Sequence, residues 1–298
     1  MESAKTWLEV SLNGAWGRAR QPQIPVAIDQ IVSAGVECAK AGAAVVHVHA
    51  YDEAGAKPKE SAESYARIIT GIRSQVDAIV YPTIPAVTLQ ELAVPDAGVR
   101  RFAVIESLAK EGLLEWAAVD PGSVNIVHYD DLRADRDGGF LYANPEDHIR
   151  RALSLASRYR LHPSYAIYEP GFVRLGATLH WRCSSPAPIY RFMFSEDYTF
   201  GFPPDDFGLT AYLNLLDRVA PGARWMVAGL GVDILPLVPR AVAEGGHVRV
   251  GLEDASFGCE KSNLQLVEEA VKLIDACGGG LASAADIRAE LEAVEMGD

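Results

Sequence analysis

The sequence predicts an α/β fold, a closed (β/α)8 barrel, on three observations. Short β-rich apolar runs alternate with longer amphipathic segments along the whole chain. Such alternation requires parallel strands joined by helical crossovers. Eight units in 298 residues suit a barrel better than an open doubly wound sheet, which stays the alternative. No Ser-, Pro- or charge-rich linker divides the chain and no short-period repeat is visible, so a single barrel domain over 1–298 is expected, with a C-terminal helical extension.

The elements follow in order. "TWLEVSL" (6–12) reads as the first strand. A helix over about 26–41 has Ile28, Ile31, Val32, Val36 and Cys38 near helical spacing. "AAVVHVHA" (43–50) is the second strand, then a helix at about 61–75. "DAIVYPT" (77–83) is the third, with a helix over about 98–112. "LEWAAV" (114–119) is the fourth, extended past a Pro-Gly break by "SVNIV" (123–127). The helix at 144–160 opens with Asn144 as expected N-cap and Pro145 at its first position. "SYAIYE" (164–169), "PIYRFMF" (188–194), "RWMVAG" (224–229) and "GHVRVGL" (246–252) are the later strands. Helices at about 171–180, 207–219, 232–244 and 261–276 complete the repeats, and "CGGGLASAAD" (277–286) is a loop before a terminal helix.

A net charge of −13 argues against a nucleic-acid or membrane-surface binder, which needs a basic face. It leaves room for a local basic pocket. Cys38, Cys183, Cys259 and Cys277 show no CxxC or other short paired spacing, so reduced thiols in a cytoplasmic protein are expected. "MESAKTWLEVSLNG" lacks a basic region followed by a long apolar segment, so no secretory leader is read. No apolar run reaches membrane-spanning length.

Chemistry concentrates in two segments. In "AAVVHVHAYD" (43–52), His47 and His49 share one face of a strand while Val46 and Val48 take the other. They stand near the carboxyl end of the second strand, the end where barrel enzymes place their sites. Two imidazoles on one strand face can reach one Zn²⁺; the competing reading is a hydrogen-bonded pair in a polar barrel mouth. A catalytic zinc wants a third protein ligand and an open position. "GGHVRVGLEDASFG" (245–258) offers it, because alternation puts Arg249, Gly251 and Glu253 on one face. Glu253 would end the eighth strand at the same mouth, with Asp254 beside it and Arg249 deeper. Taken singly, Glu253-Asp254 reads equally as acidic capping of the next helix, and Arg249 as a structural ion pair. His247 is the weaker ligand candidate.

The sequence resembles the β-keto acid cleavage enzymes, the family typified by 3-keto-5-aminohexanoate cleavage enzyme. The resemblance rests on "AGAAVVHVHAYDEAG" (41–55), "GSVNIV" (122–127), "WMVAGLG" (225–231), "GGHVRVGLED" (245–254) and "SNLQLVEEAV" (262–271). "SLNGA" (11–15) and "QPQIPV" (21–26) also fit, so it runs from end to end. It implies a (β/α)8 barrel, a divalent metal that is usually zinc, and a homo-oligomer, often a tetramer. The implied reaction takes a β-keto acid and acetyl-CoA to acetoacetate and a new acyl-CoA. Residue by residue, it implies His47, His49 and Glu253 as metal ligands, Asp254 as the acidic residue after the glutamate ligand, and Arg249 as the family's arginine.

Three departures stand out. The family's Ser-Thr-Gly-Gly after strand three is "PTIP" (82–85), which keeps only the threonine, Thr83. Trp16 stands where enzymes for amino substrates carry a glutamate. Ser164 and Ala166 replace the acids of a Pro-Glu-x-Glu on strand five, leaving Glu169 farther on. Without those acids a cationic substrate is disfavoured, since an unpaired buried ammonium is costly; Trp16 and aromatic neighbours favour an apolar or neutral side chain. In physical terms Asp254 is the candidate base, and Arg249 would bind a carboxylate or hold Asp254. A carboxylate beside zinc is expected to have a low pKa. Thr83 and Asn125 are candidate donors to a developing oxyanion, with strand-end packing and turn bonding as their structural readings. His128 is unassigned, and His180 is read as packing or surface.

Two other classes compete. A zinc hydrolase or metal-dependent aldolase would turn over without CoA; the histidine pair on strand two, with none in "SYAIYE" or "PIYRFMF", argues against it. A metal-stabilised scaffold barrel would consume no substrate.

Overall fold

The computed structural model describes residues 5–52, 57–136 and 138–297. Residues 53–55 of the second-strand motif and 1–4 of the amino-terminal segment lie outside these. The barrel strands are β1 (Leu8–Ser11), β2 (Val45–Val48), β3 (Ile79–Pro82), β4 (Trp116–Ala118), β5 (His162–Ile167), β6 (Ile189–Phe194), β7 (Arg224–Gly229) and β8 (His247–Val250). They form one all-parallel sheet in the order β3-β2-β1-β8-β7-β6-β5-β4. β3 and β4 also lie side by side, so the sheet curls into a nearly closed barrel, and the open-sheet alternative is set aside. Every residue of β2, β3, β6 and β8 is buried. Strands covered on both faces need near-continuous apolar runs rather than alternation, as "IYRFMF" shows at every position but Arg191.

Helices wrap the outside. Ile28–Lys40 buries Ile31, Gly35, Val36 and Cys38. Ala62–Arg73 starts where the Ser61 side chain accepts the Ser64 N–H. The long helix expected at 98–112 is two, Ala97–Arg101 and Ala103–Lys110, because the backbone at Phe102 leaves helical geometry. The expected 144–160 helix runs Glu146–Tyr159, with Pro145 rather than Asn144 at the cap. Asn144 is committed elsewhere, accepting from Arg101 and donating to the Gly122 carbonyl. A second difference concerns 123–127. Val124–Ile126 does not extend β4; after Pro121-Gly122 it pairs antiparallel with Phe140–Tyr142, a ribbon over the mouth.

The terminal helix Ala284–Gly297 belongs to the opposite end. Arg288 bridges Asp77 and Glu115, and Glu290 accepts from the Trp7 indole, all next to strand starts. His247, at the start of β8, lies at this end too, not at the mouth. Its ring stacks on Trp7 at 4.1 Å and its Nδ1 accepts the Trp7 N–H. Burial, with Arg224 nearby, pushes its pKa from 6.5 to about 3. Unfolded chains therefore bind a proton there that the folded chain refuses, and stability falls as pH drops through 6.5 towards 3. His247→Gln is expected to shallow the fall of melting temperature between pH 7 and 5 by a contribution approaching about 1.4 kcal/mol per pH unit. Superimposable melting curves for wild type and variant across that window would count against it.

Candidate active site

Two local features aim the strand ends into the mouth. Gly251 follows β8 at φ 140°, and a Cβ there would sit 2.1 Å from the Ser11 carbonyl oxygen. Only glycine allows that approach, and it turns Glu253 back over the barrel. Gly14, at φ +62°, leaves room for the Glu253 side chain, whose Cγ would lie 2.6 Å from an added Cβ. On β2's side, Asn13 grips the His49 backbone twice, accepting its N–H at 2.9 Å and donating to its carbonyl at 3.0 Å.

His47, His49 and Glu253 converge. Their candidate ligand atoms all lie within 4.8 Å of one another. His49 Nε2 is 3.1 Å from Glu253 Oε1 and His47 Nε2 is 3.5 Å from Oε2. The imidazoles are buried, and their planes stand at 89°. His47 Nδ1 and Glu253 Oε2 are buried with no hydrogen-bond partner. Burial holds the His47 pKa well below its ordinary value, so the ring is a neutral donor. Burial pushes the Glu253 carboxyl up, but Arg249, His49 and His47 outweigh it and hold the group well below the carboxylate range. Two imidazole nitrogens and one carboxylate make a donor set that fits zinc or a similar divalent cation.

Beside the triad lies a fully committed arginine. Arg249 Nε and Nη2 donate to Asp254 at 2.8 and 2.7 Å, a bidentate pair. Its Nη1 donates to Glu9 at 3.1 Å, and Nη2 is 3.2 Å from Glu253 Oε2. The Tyr81 hydroxyl donates to Glu9 at 2.6 Å. Arg249 thus holds Asp254, the second of the two roles open to it. Burial raises the Asp254 carboxyl, and Arg249 offsets this only in part, so it lies above its ordinary value rather than below.

These groups line a cavity of about 340 Å³, within the size range of small-molecule sites, about 300–1,000 Å³. Trp16 and Thr83 line it as well. The Trp16 indole donates to the Glu253 carbonyl at 3.2 Å, and the Thr83 hydroxyl to the Ile84 carbonyl at 3.3 Å. Asn125 is not brought in: it is exposed on the ribbon that turned away from β4. Glu169 is not brought in either; it stands just before the Pro170–Cys183 helix, and its side chain accepts the Gly201 N–H. His128 caps a short helix beside a second cavity, and His180 sits on the Pro170–Cys183 helix near Ser185.

Sequence reasoning missed Glu9, Asp120 and Arg191, all buried and grouped around the barrel interior. A signal existed: each is a charged residue within or ending an otherwise apolar strand, in "TWLEVSL", "WAAVD" and "IYRFMF". Such residues are almost never fully buried unless paired. Asp120 accepts from the Tyr142 hydroxyl and, at 3.2 Å, from the Ala166 N–H.

Fold and site together define a (β/α)8-barrel of the enzyme class, with its candidate site at the carboxyl ends of the strands. A model of the β-keto acid cleavage enzyme family matches residues 5–292. The chain belongs to the β-keto acid cleavage enzyme family, and it is an enzyme of that C–C-cleaving kind. It is 25% identical to the 3-oxoadipate:acetyl-CoA acetyltransferase of Cupriavidus necator, over 95% of this chain and 93% of that one. The 3-dehydrocarnitine:acetyl-CoA trimethylamine transferase of Rhizobium meliloti is 24% identical, over 92% and 91%. The 3-keto-5-aminohexanoate cleavage enzyme of Fusobacterium nucleatum is 23% identical, over 91% of each. Among solved structures, apo ObcA superposes with a TM-score of 0.71 at 15% identity, over 92% of this chain and 66% of ObcA, a likeness of fold. No helix among the described residues is long and apolar enough to cross a membrane.

Proposed function

We propose that this chain is a divalent-metal-dependent enzyme that converts a β-keto acid and acetyl-CoA into acetoacetate and a new acyl-CoA. The convergence of His47, His49 and Glu253 beside the Arg249–Asp254 pair carries this reading. The triad would hold the cation, with zinc favoured by its nitrogen and carboxylate donors. Once bound there, it would supply Lewis-acid polarisation of a substrate carbonyl.

The protein's own groups do the rest. Asp254 takes a proton from the methylene between the keto and carboxylate groups. Arg249 fixes its position through two charge-assisted hydrogen bonds. The carbanion adds to the acetyl carbonyl carbon, the CoA thiolate passes to the substrate's keto carbon, and the bond between that carbon and the methylene breaks. The methylene leaves as part of acetoacetate, and Asp254 returns its proton. Thr83 lines the cavity where an oxyanion would develop. Acetyl-CoA would approach through the neighbouring cavity, which shares Ala15, Trp16 and Phe140 with the first and is lined by Arg20. The relatives' names span acids with carboxylate, quaternary ammonium and amine ends, so overall similarity does not select the acyl group.

A cytoplasmic setting belongs to the same reading, supported by four cysteines all free in the structure. So does a homo-oligomer, a tetramer in the family resemblance; Trp181 and Phe207 stand 80% and 71% exposed on the helical shell.

The test is a panel of β-keto acids assayed with and without acetyl-CoA, before and after chelation. Loss of keto acid should require acetyl-CoA, yield acyl-CoA and acetoacetate in equal amounts, cease on chelation, and return with Zn²⁺. Keto-acid loss that ignores acetyl-CoA would favour the hydrolase or aldolase class instead.

A further inference from the structure

We infer that the substrate carries a second anionic group, a carboxylate in the simplest case, on the end remote from the metal-ligand triad, and that Arg191 binds it. This builds on the β-keto acid reading and names the substrate class within it. It also replaces the apolar or neutral end that the sequence suggests.

The placement comes from topology. Arg191 lies on β6, and the histidine pair belongs to β2 and its carboxyl end. In the strand order the two strands are four steps apart in either direction round the barrel, so they form opposite walls. Arg191, His47, His49 and Glu253 line one cavity. A ligand held at the triad and reaching across the barrel meets the guanidinium.

The second observation is that Arg191 is short of partners. The residue is only 4% exposed. Its Nη2 makes one long hydrogen bond, 3.4 Å, to the Ser164 carbonyl, and Nε is buried without a partner. The nearest carboxylate, Asp120 Oδ1, stands 3.9 Å away and already accepts the Ala166 N–H. A guanidinium has five N–H donors in a fork that matches a carboxylate. Leaving it buried and unmatched is costly. Arg249 shows the contrast: it is equally buried, but its Nε, Nη1 and Nη2 all have carboxylate partners.

Asp120 and Glu60 also line the cavity, and the positions next to Arg191 itself favour an anion. Ala166 is Arg191's register partner on β5, so no acid stands beside it there. Ala118, Met193 and Leu230 make the nearby cavity wall apolar. An ammonium would meet a like charge, and an alkyl end would leave the guanidinium unpaired.

The experiment compares 3-oxoadipate with 3-oxohexanoate, equal in chain length and different in one terminal carboxylate. Calorimetry on the metal-loaded protein without acetyl-CoA reads binding, and an assay with acetyl-CoA reads turnover. Wild type is expected to bind 3-oxoadipate at least about tenfold tighter, the scale of one charge-assisted pair. Arg191→Met should abolish that ratio, and Ala166→Glu, which sets an acid beside the guanidinium, should collapse it independently. Equal binding by wild type overturns the inference, as does a preference that survives Arg191→Met. Binding of neither acid overturns it too. Binding with the expected ratio but no turnover of either acid upholds the Arg191 site and sinks the β-keto acid cleavage reading instead.

Discussion

His49→Ala is expected to release the bound divalent metal and to lower turnover of β-keto acid with acetyl-CoA by about a thousandfold or more, the several kcal/mol of charge stabilisation that a metal site contributes. The geometry explains why so much depends on one ring. His49 Nε2 is the histidine nitrogen nearest Glu253, at 3.1 Å, and Asn13 locks its backbone from both sides. Removing it leaves His47 and Glu253, two donors where a stable site wants three or four. Glu253 would stay ionised through Arg249 Nη2, 3.2 Å away, so the change falls on metal retention more than on the fold. Metal content after desalting, measured beside kcat/KM and a melting curve, checks the expectation. A variant that keeps stoichiometric metal, or keeps activity, would return the histidine pair to the reading of a hydrogen-bonded barrel mouth.

Asp254→Asn should separate proton transfer from binding. Asparagine is isosteric, but its amide nitrogen faces one arm of the Arg249 fork and can no longer accept. The lost base should lower kcat by about 10²–10⁴, the range for general acid–base groups. KM and metal content should hold, since Asp254 is outside the triad. A fall confined to KM, or activity within a few-fold of wild type, would make Asp254 an anchor for Arg249 and nothing more. Arg249→Lys is the useful comparison. It keeps a cation and loses the bidentate geometry, so it tests positioning of Asp254 without removing the carboxylate.

Much of this site was legible before any coordinates. A period of two sends His47 and His49 to one side of a strand whatever the strand packs against, and the same rule ties Arg249 to Glu253. The first rule holds; the second does not carry Glu253, because β8 ends at Val250 and the turn through Gly251, at φ 140°, brings Glu253 to the mouth instead. The failures were of another kind. Asn125 was put on an extension of β4 because "SVNIV" has strand composition, and it is a strand; its partner, Phe140–Tyr142, is a ribbon outside the barrel. Glu169 follows β5 closely enough to look inward, but its side chain turns to accept the Gly201 N–H. In each case local propensity named the element correctly, and the pairing partner decided where its side chains went.

The sequence by itself determined the alternation of strands and helices, the faces of β2 and β8, and the chemical types gathered near their carboxyl ends. Those follow from backbone geometry within a few residues. Only the tertiary structure decided that Arg249 is consumed by Asp254 and Glu9, and that Arg191, with one long hydrogen bond to the Ser164 carbonyl and Asp120 3.9 Å away, keeps a buried Nε without a partner and faces the histidines from the far wall. Partnership between buried charges depends on which strands close the barrel next to or opposite one another, a non-local outcome of packing that no short window of residues contains.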